Sequence, residues 1–253
     1  MTPIVVFDID GVVRDVGGSY RRAIADTVEY FTNNAYRPTV EDLDRLKSEG
    51  IWNNDWEASQ ELVYRYFEAQ GRQRTHIPLN YDDLVAFFQS RYRGANWDGY
   101  ICSEALLLQP SYFEQLTNAG IRWGFFSGAP REEAMYVLSR LGLNSPVLVA
   151  MEDAPGKPDP TGLFATVRQL EEASSVIYVG DTVADMYVVE KARNLQDNRT
   201  WIAVGILPPH VLETPLRLDA YTATLQQAGA AIVLNNVQEL TPAKIYGLLD
   251  IDL

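Results

Sequence analysis

The chain has 253 residues, enough for one large domain or for a core with a second module. Hydrophobic residues make up 47% and charged residues 22%, which is ordinary globular composition. Thirty-four acidic residues against 21 basic ones give a net charge of -13, which argues against nucleic acid or an anionic membrane as the main partner. An anionic ligand would therefore need positive charge concentrated locally.

The single cysteine, Cys102, excludes an intrachain disulfide and reads as a buried structural thiol. Its nucleophilic reading would have only His76 and His210 to draw on as histidine partners. No apolar run approaches a membrane span, and no basic and apolar leader precedes the first strand. A soluble, cytoplasmic protein is expected.

The first element is Ile4-Val5-Val6-Phe7, a β-branched and aromatic run. It reads as a buried parallel strand, although periodicity alone also admits a short helix segment. The run stops on Asp8 and Asp10, and Gly11 follows at once. In an open α/β sheet the carboxyl ends of the strands border the ligand crevice. Two carboxylates there are costly without a cation between them. A hard divalent ion such as magnesium takes oxygen ligands and leaves room for phosphate.

Gly17-Gly18 marks a turn or hinge. Apolar spacing predicts a helix over 20–33, and Thr39 followed by acids opens another. Residues 58–69 and 81–92 also read as helices, and no convincing strand falls between 16 and 96. This predicts a separate helical module inserted between βα units. Strands and helices then alternate. The predicted helices are 112–119, 130–141, 161–170 and 183–192. The predicted strands are 121–126, 146–150, 176–179, 201–204 and 231–234. This order implies an α/β fold with a central parallel sheet and helices on both faces. The segment from Glu213 onward reads as more core and a terminal helix, without a function.

Three further segments repeat the geometry of the first. Ser127-Gly128 sits at a strand end before a helix, where a hydroxyl and backbone N–H groups either cap the helix or cradle an anion. Lys157 lies in Gly156-Lys157-Pro158-Asp159-Pro160, a loop stiffened by its prolines. Asp181 ends a strand after Gly180, and Asp185 follows four residues later, so both carboxylates can face one crevice if the helix has begun.

Together these segments resemble, in order, the four motifs of the haloacid dehalogenase (HAD) superfamily of aspartate-nucleophile phosphotransferases. The first is Asp8-Ile9-Asp10-Gly11-Val12, then come Ser127 and the Gly-Lys-Pro loop at Lys157, and the last is the GDxxxD of Gly180 to Asp185. The resemblance covers about residues 3–15 and 105–235. It implies a Rossmann-like HAD core over 1–15 and 97–253, with the helical insert 16–96 at the position of a C1-type cap. It further implies a C1-capped, subfamily I-like phosphatase acting on a small phosphorylated metabolite. Asp8 would be the nucleophile and Asp10 the general acid and base. Magnesium would be held by Asp8, the backbone carbonyl of Asp10, Asp181 and Asp185, the last directly or through water. Ser127, Gly128 and Lys157 would bind the phosphoryl group, with Arg14 and Arg131 preferred over Arg21 and Arg22 as added positive charge. Two tryptophans around two amides, at Trp52, Asn53, Asn54 and Trp56, are candidates either for substrate selection or for plain packing. The acid at Asp10 favours phosphate chemistry over dehalogenation. A β-phosphoglucomutase-like phosphomutase and a catalytically silent binding or regulatory protein stand as alternatives. A monomer or homodimer is expected, with neither nucleic acid nor membrane as partner.

Overall fold

The computed structural model describes residues 2–52, 54–196 and 198–250. The chain divides into two compact units, one of residues 1–15 with 106–253 and one of residues 16–105.

The first unit opens with β1 (Ile4–Phe7), whose four side chains are all buried. Side chains alternate across a strand. Val5 and Phe7 accordingly join one apolar cluster, and Ile4 and Val6 the other. Each such residue removed from water contributes about 1.5–3 kcal/mol.

The chain then forms the second unit, whose elements among the described residues are all helical. It comprises α1 (Tyr20–Phe31), α2 (Val40–Lys47), α3 (Asp55–Ala69) and α4 (Tyr81–Tyr92), with single 3-10 turns at Arg74–His76 and Tyr100–Ser103. Thr39 begins α2 as half of a capping box with Asp42. Asn54 caps α3, which therefore starts three residues ahead of the expected 58. The unit also extends to residue 105, beyond the expected limit of 96. Tyr100 Oη donates to Asp26 Oδ2 at 2.6 Å, and Tyr92 Oη lies 3.3 Å from Glu104 Oε1, which ties the extra segment to α1 and α4. Cys102 lies in this segment and is exposed, not buried as expected.

From residue 106 the first unit resumes with α5 (Pro110–Asn118), β2 (Arg122–Phe126), α6 (Arg131–Arg140), β3 (Leu148–Val149) and α7 (Thr161–Gln169). It continues with β4 (Ser175–Gly180), α8 (Val183–Leu195), β5 (Thr200–Ile206), α9 (Pro215–Gln227), β6 (Ile232–Leu234) and α10 (Pro242–Leu248). The six strands form one sheet in the order β3-β2-β1-β4-β5-β6, and every pairing is parallel. Residues of α5, α6 and α10 pack on one face, and residues of α7, α8 and α9 on the other. This is an α/β sheet wound in both directions from β1, and its topological switch point lies between β1 and β4.

Candidate active site

Strand register brings the sequence motifs to one edge of the sheet. Phe7 pairs with Phe125 on one side and Val179 on the other, so the residues just past each strand end are neighbours. Asp8 continues the pattern, its N–H donating to the Val179 carbonyl at 2.8 Å. Asp8, Ser127, Lys157, Asp181 and Asp185 are all buried.

Lys157 joins two of the carboxylates, its Nζ standing 2.8 Å from Asp8 Oδ2 and 2.7 Å from Asp185 Oδ1. The rings of Phe126 and Tyr178 flank the ammonium at 5.4 and 5.5 Å. Burial alone would lower the lysine's affinity for its proton, but Asp185 and Asp8 outweigh it and hold the ammonium above the usual lysine range. The Asp8 carboxyl is pushed up to about 7, chiefly by burial, with Asp185 and Asp10 adding to the rise and Lys157 opposing it.

Asp185 is saturated with donors. Its Oδ1 meets Lys157 and, at 3.1 Å, the Tyr178 hydroxyl. Its Oδ2 accepts from the Thr182 N–H at 2.9 Å and the Thr182 hydroxyl at 2.6 Å, within the capping box that starts α8. A carboxylate offers about four such positions. A cation binding Asp185 directly would have to displace one of these donors, which favours the water-mediated of the two roles expected of it.

Two glycines make the close packing feasible. Gly11 has φ +72°, and a Cβ there would stand 2.0 Å from Asp181 Oδ2. A Cβ on Gly180 would stand 2.3 Å from that of Asp185.

The flap after Asp8 is a tight turn in which the Ile9 carbonyl accepts from the N–H groups of Val12, Val13 and Arg14. That turn brings Arg14 back onto Asp10, with Nε at 2.6 Å and a terminal nitrogen at 2.5 Å from Oδ1. Asp10 Oδ2 takes no protein donor among the described residues, and 25% of the side chain is exposed. Arg14 is wholly buried, which makes it the anchor of Asp10, not the open phosphate donor expected. Ser127 Oγ accepts from the Ala129 N–H at 3.1 Å, in the turn that also holds Gly128. It does not cap α6, whose cap position is Pro130. Arg131 turns to the Leu148 carbonyl at 3.3 Å and to Asp153, so the structure does not bring it into the cluster. In the helical unit Trp52 Nε1 donates to Glu49 at 2.7 Å, and Asn54 Oδ1 caps α3. Asn53 lies outside the described residues. Tyr178, Thr182 and Tyr221 escaped the sequence reading. A tyrosine in an otherwise apolar strand was the available signal, because a buried hydroxyl needs a partner.

The carboxylate oxygens of Asp8, Asp181 and Asp185 can all lie within 4.8 Å of one another. Three buried carboxylates stand close together, two of them on one ammonium, and every potential ligand atom is an oxygen. Such a set fits a hard divalent cation.

A sheet wound from a central strand, with acids at the strand ends, defines an open α/β core whose candidate site lies at the carboxyl ends of its strands. The haloacid dehalogenase-like hydrolase family model matches residues 2–192, and the chain belongs to that family. Among curated proteins it is 30% identical over 254 residues to an imidazoleglycerol-phosphate dehydratase of Phytophthora nicotianae, covering 94% of this chain and 52% of the relative. The chain thus spans about half the length of that protein. Its fold is similar to a family IA, variant 3 HAD hydrolase from Entamoeba histolytica, with TM-score 0.68 and 14% identity over 99% and 100% of the two chains. It is also similar to CbbY from Rhodobacter sphaeroides in complex with phosphate, with TM-score 0.63 and 17% identity over 95% and 96%. No helix among the described residues is long and apolar enough to cross a membrane.

Proposed function

We propose that the chain is a magnesium-dependent phosphatase that cleaves a small phosphomonoester through an aspartyl-phosphate. The observation that carries this reading is Asp8, a buried carboxylate at a central strand end. It lies 2.8 Å from an ammonium and two residues ahead of an anchored acid with one open oxygen.

An Asp8 oxygen attacks phosphorus in line, and the bond from phosphorus to the leaving oxygen breaks. Asp10, protonated on Oδ2, gives its proton to the departing alkoxide. Its carboxylate then takes a proton from water as the water oxygen attacks phosphorus. The Asp8–phosphorus bond breaks, releasing inorganic phosphate and restoring both acids. Arg14 holds Oδ1 so that Oδ2 faces one direction through both steps. Ser127 and Lys157 bind the non-bridging oxygens, and Asp185 keeps Lys157 aimed at them. Asp8, the Asp10 backbone carbonyl and Asp181, with Asp185 through water, would hold a magnesium ion, which would supply the positive charge that lets an anionic substrate approach an anionic nucleophile.

The test is hydrolysis of p-nitrophenyl phosphate with magnesium and with EDTA, in the native protein and in Asp8→Asn. Turnover is expected only with the metal and only with Asp8 intact. A panel of phosphorylated metabolites then ranks substrates, and imidazoleglycerol phosphate belongs in it because the Phytophthora relative carries that name. Interconversion of hexose phosphate isomers without phosphate release would assign a mutase instead. Absence of turnover in a protein that binds magnesium would overturn catalysis in favour of a binding role.

A further inference from the structure

The C-terminal segment reaches the acidic cluster through one hydroxyl. Tyr221, on α9, donates to the backbone carbonyl of Asp181 at 3.0 Å, across 40 residues of chain. It lies beyond the span that the family model matches. The Asp181 carbonyl belongs to the link between β4 and α8, where neither a strand ladder nor a helix fixes it. The same peptide link is gripped on its other side, because Thr182 N–H donates to Asp185. Gly11 closes in on the Asp181 carboxylate itself. The His210 ring stands edge-on to Tyr221, with centroids 6.4 Å apart, and helps fix the phenol. The two ends of the Asp181–Thr182 peptide are thus held from α8 and from α9.

We propose that Tyr221 is a positioning residue for Asp181, so that α9 is part of the cation site. The idea rests on the magnesium reading given above. Hydrogen bonds that orient a metal ligand from outside the coordination shell are typically worth about 10- to 100-fold in affinity.

The test is calorimetric titration of the metal-stripped protein with magnesium chloride, read as Kd, beside the melting temperature in EDTA. Tyr221→Phe is expected to raise Kd by about tenfold while the EDTA melting temperature stays near the native value. Thr224→Ala, elsewhere on α9, is expected to change neither. A Tyr221→Phe Kd within twofold of native overturns the proposal. So does a rise in Kd that Thr224→Ala reproduces, because that would report general loosening of the helix. Should Tyr221→Phe fail to fold, His210→Ala gives a second reading, with a smaller rise in Kd expected and an unchanged Kd counting against the idea. If the native protein takes up no magnesium, the cation reading falls and this proposal falls with it. If the native protein binds magnesium and Tyr221→Phe binds it equally well, the proposal alone is lost.

Discussion

An alanine at position 11 would set its Cβ 2.0 Å from Asp181 Oδ2, on a backbone with φ +72°. Left-handed backbone costs a residue with a side chain roughly 1–2 kcal/mol, and the carboxylate must also move. Gly11→Ala is expected to stay folded, lose stability on that scale, and bind magnesium more weakly, as titration calorimetry would record. The two acids of the last motif are expected to separate in the same assay. Asp181→Asn removes a carboxylate of the cluster whose counterpart, Asp185, already holds Lys157, and should cost magnesium affinity at least about tenfold more than Asp185→Asn. Asp185→Asn should lower kcat instead, because Lys157 loses a charged partner at 2.7 Å. Equal effects on affinity would show that Asp185 binds the ion after all. At this scale the sequence displayed residue types and spacing but not saturation. The spacing of Asp10 and Arg14 suits a helix, yet they meet through a turn built on the Ile9 carbonyl. Nothing local to Asp185 announced that Tyr178 would occupy one of its lone pairs.

Among the elements, α5 is locked to β1 and β2 by an aromatic cluster. Phe113 meets Phe7 at 5.7 Å, Phe125 at 5.6 Å and Trp123 at 4.5 Å between ring centroids. Phe113→Ala is expected to destabilise the protein by about 3–5 kcal/mol, read from the urea midpoint. Thr39→Ala removes one capping-box member on α2 and should cost only about 1 kcal/mol. Elements with an apolar stripe or a β-branched run were legible from the sequence, and α4 matched residue for residue. Helix α9 was not, because Leu225 is its one buried residue among the thirteen and no stripe marks it. The limit of the helical unit was also invisible. The bond from Tyr100 to Asp26 joins residues 74 apart in sequence, and no local pattern encodes such a pairing.

For the molecule as a whole, a cation that binds the folded state and not the unfolded chain must raise stability. Magnesium at one hundred times its Kd would add about 2.7 kcal/mol. Adding EDTA is therefore expected to lower the melting temperature, and an unchanged melt would count against a magnesium site. The sheet order has a further effect, on synthesis. Strand β1 lies between β2 and β4, yet Ile4 pairs with Arg122 and Val176, far downstream. At ribosomal speeds β4 emerges roughly 10–30 s after β1. Residues 16–105 form a contiguous unit and are free to fold during that interval. Four apolar side chains and their unpaired backbone edges must meanwhile wait, so β1 is open to chaperone capture during that interval. Strand β1, which leads into Asp8, gains its second neighbour only when β4 arrives, and the acidic cluster cannot assemble before the sheet's centre closes.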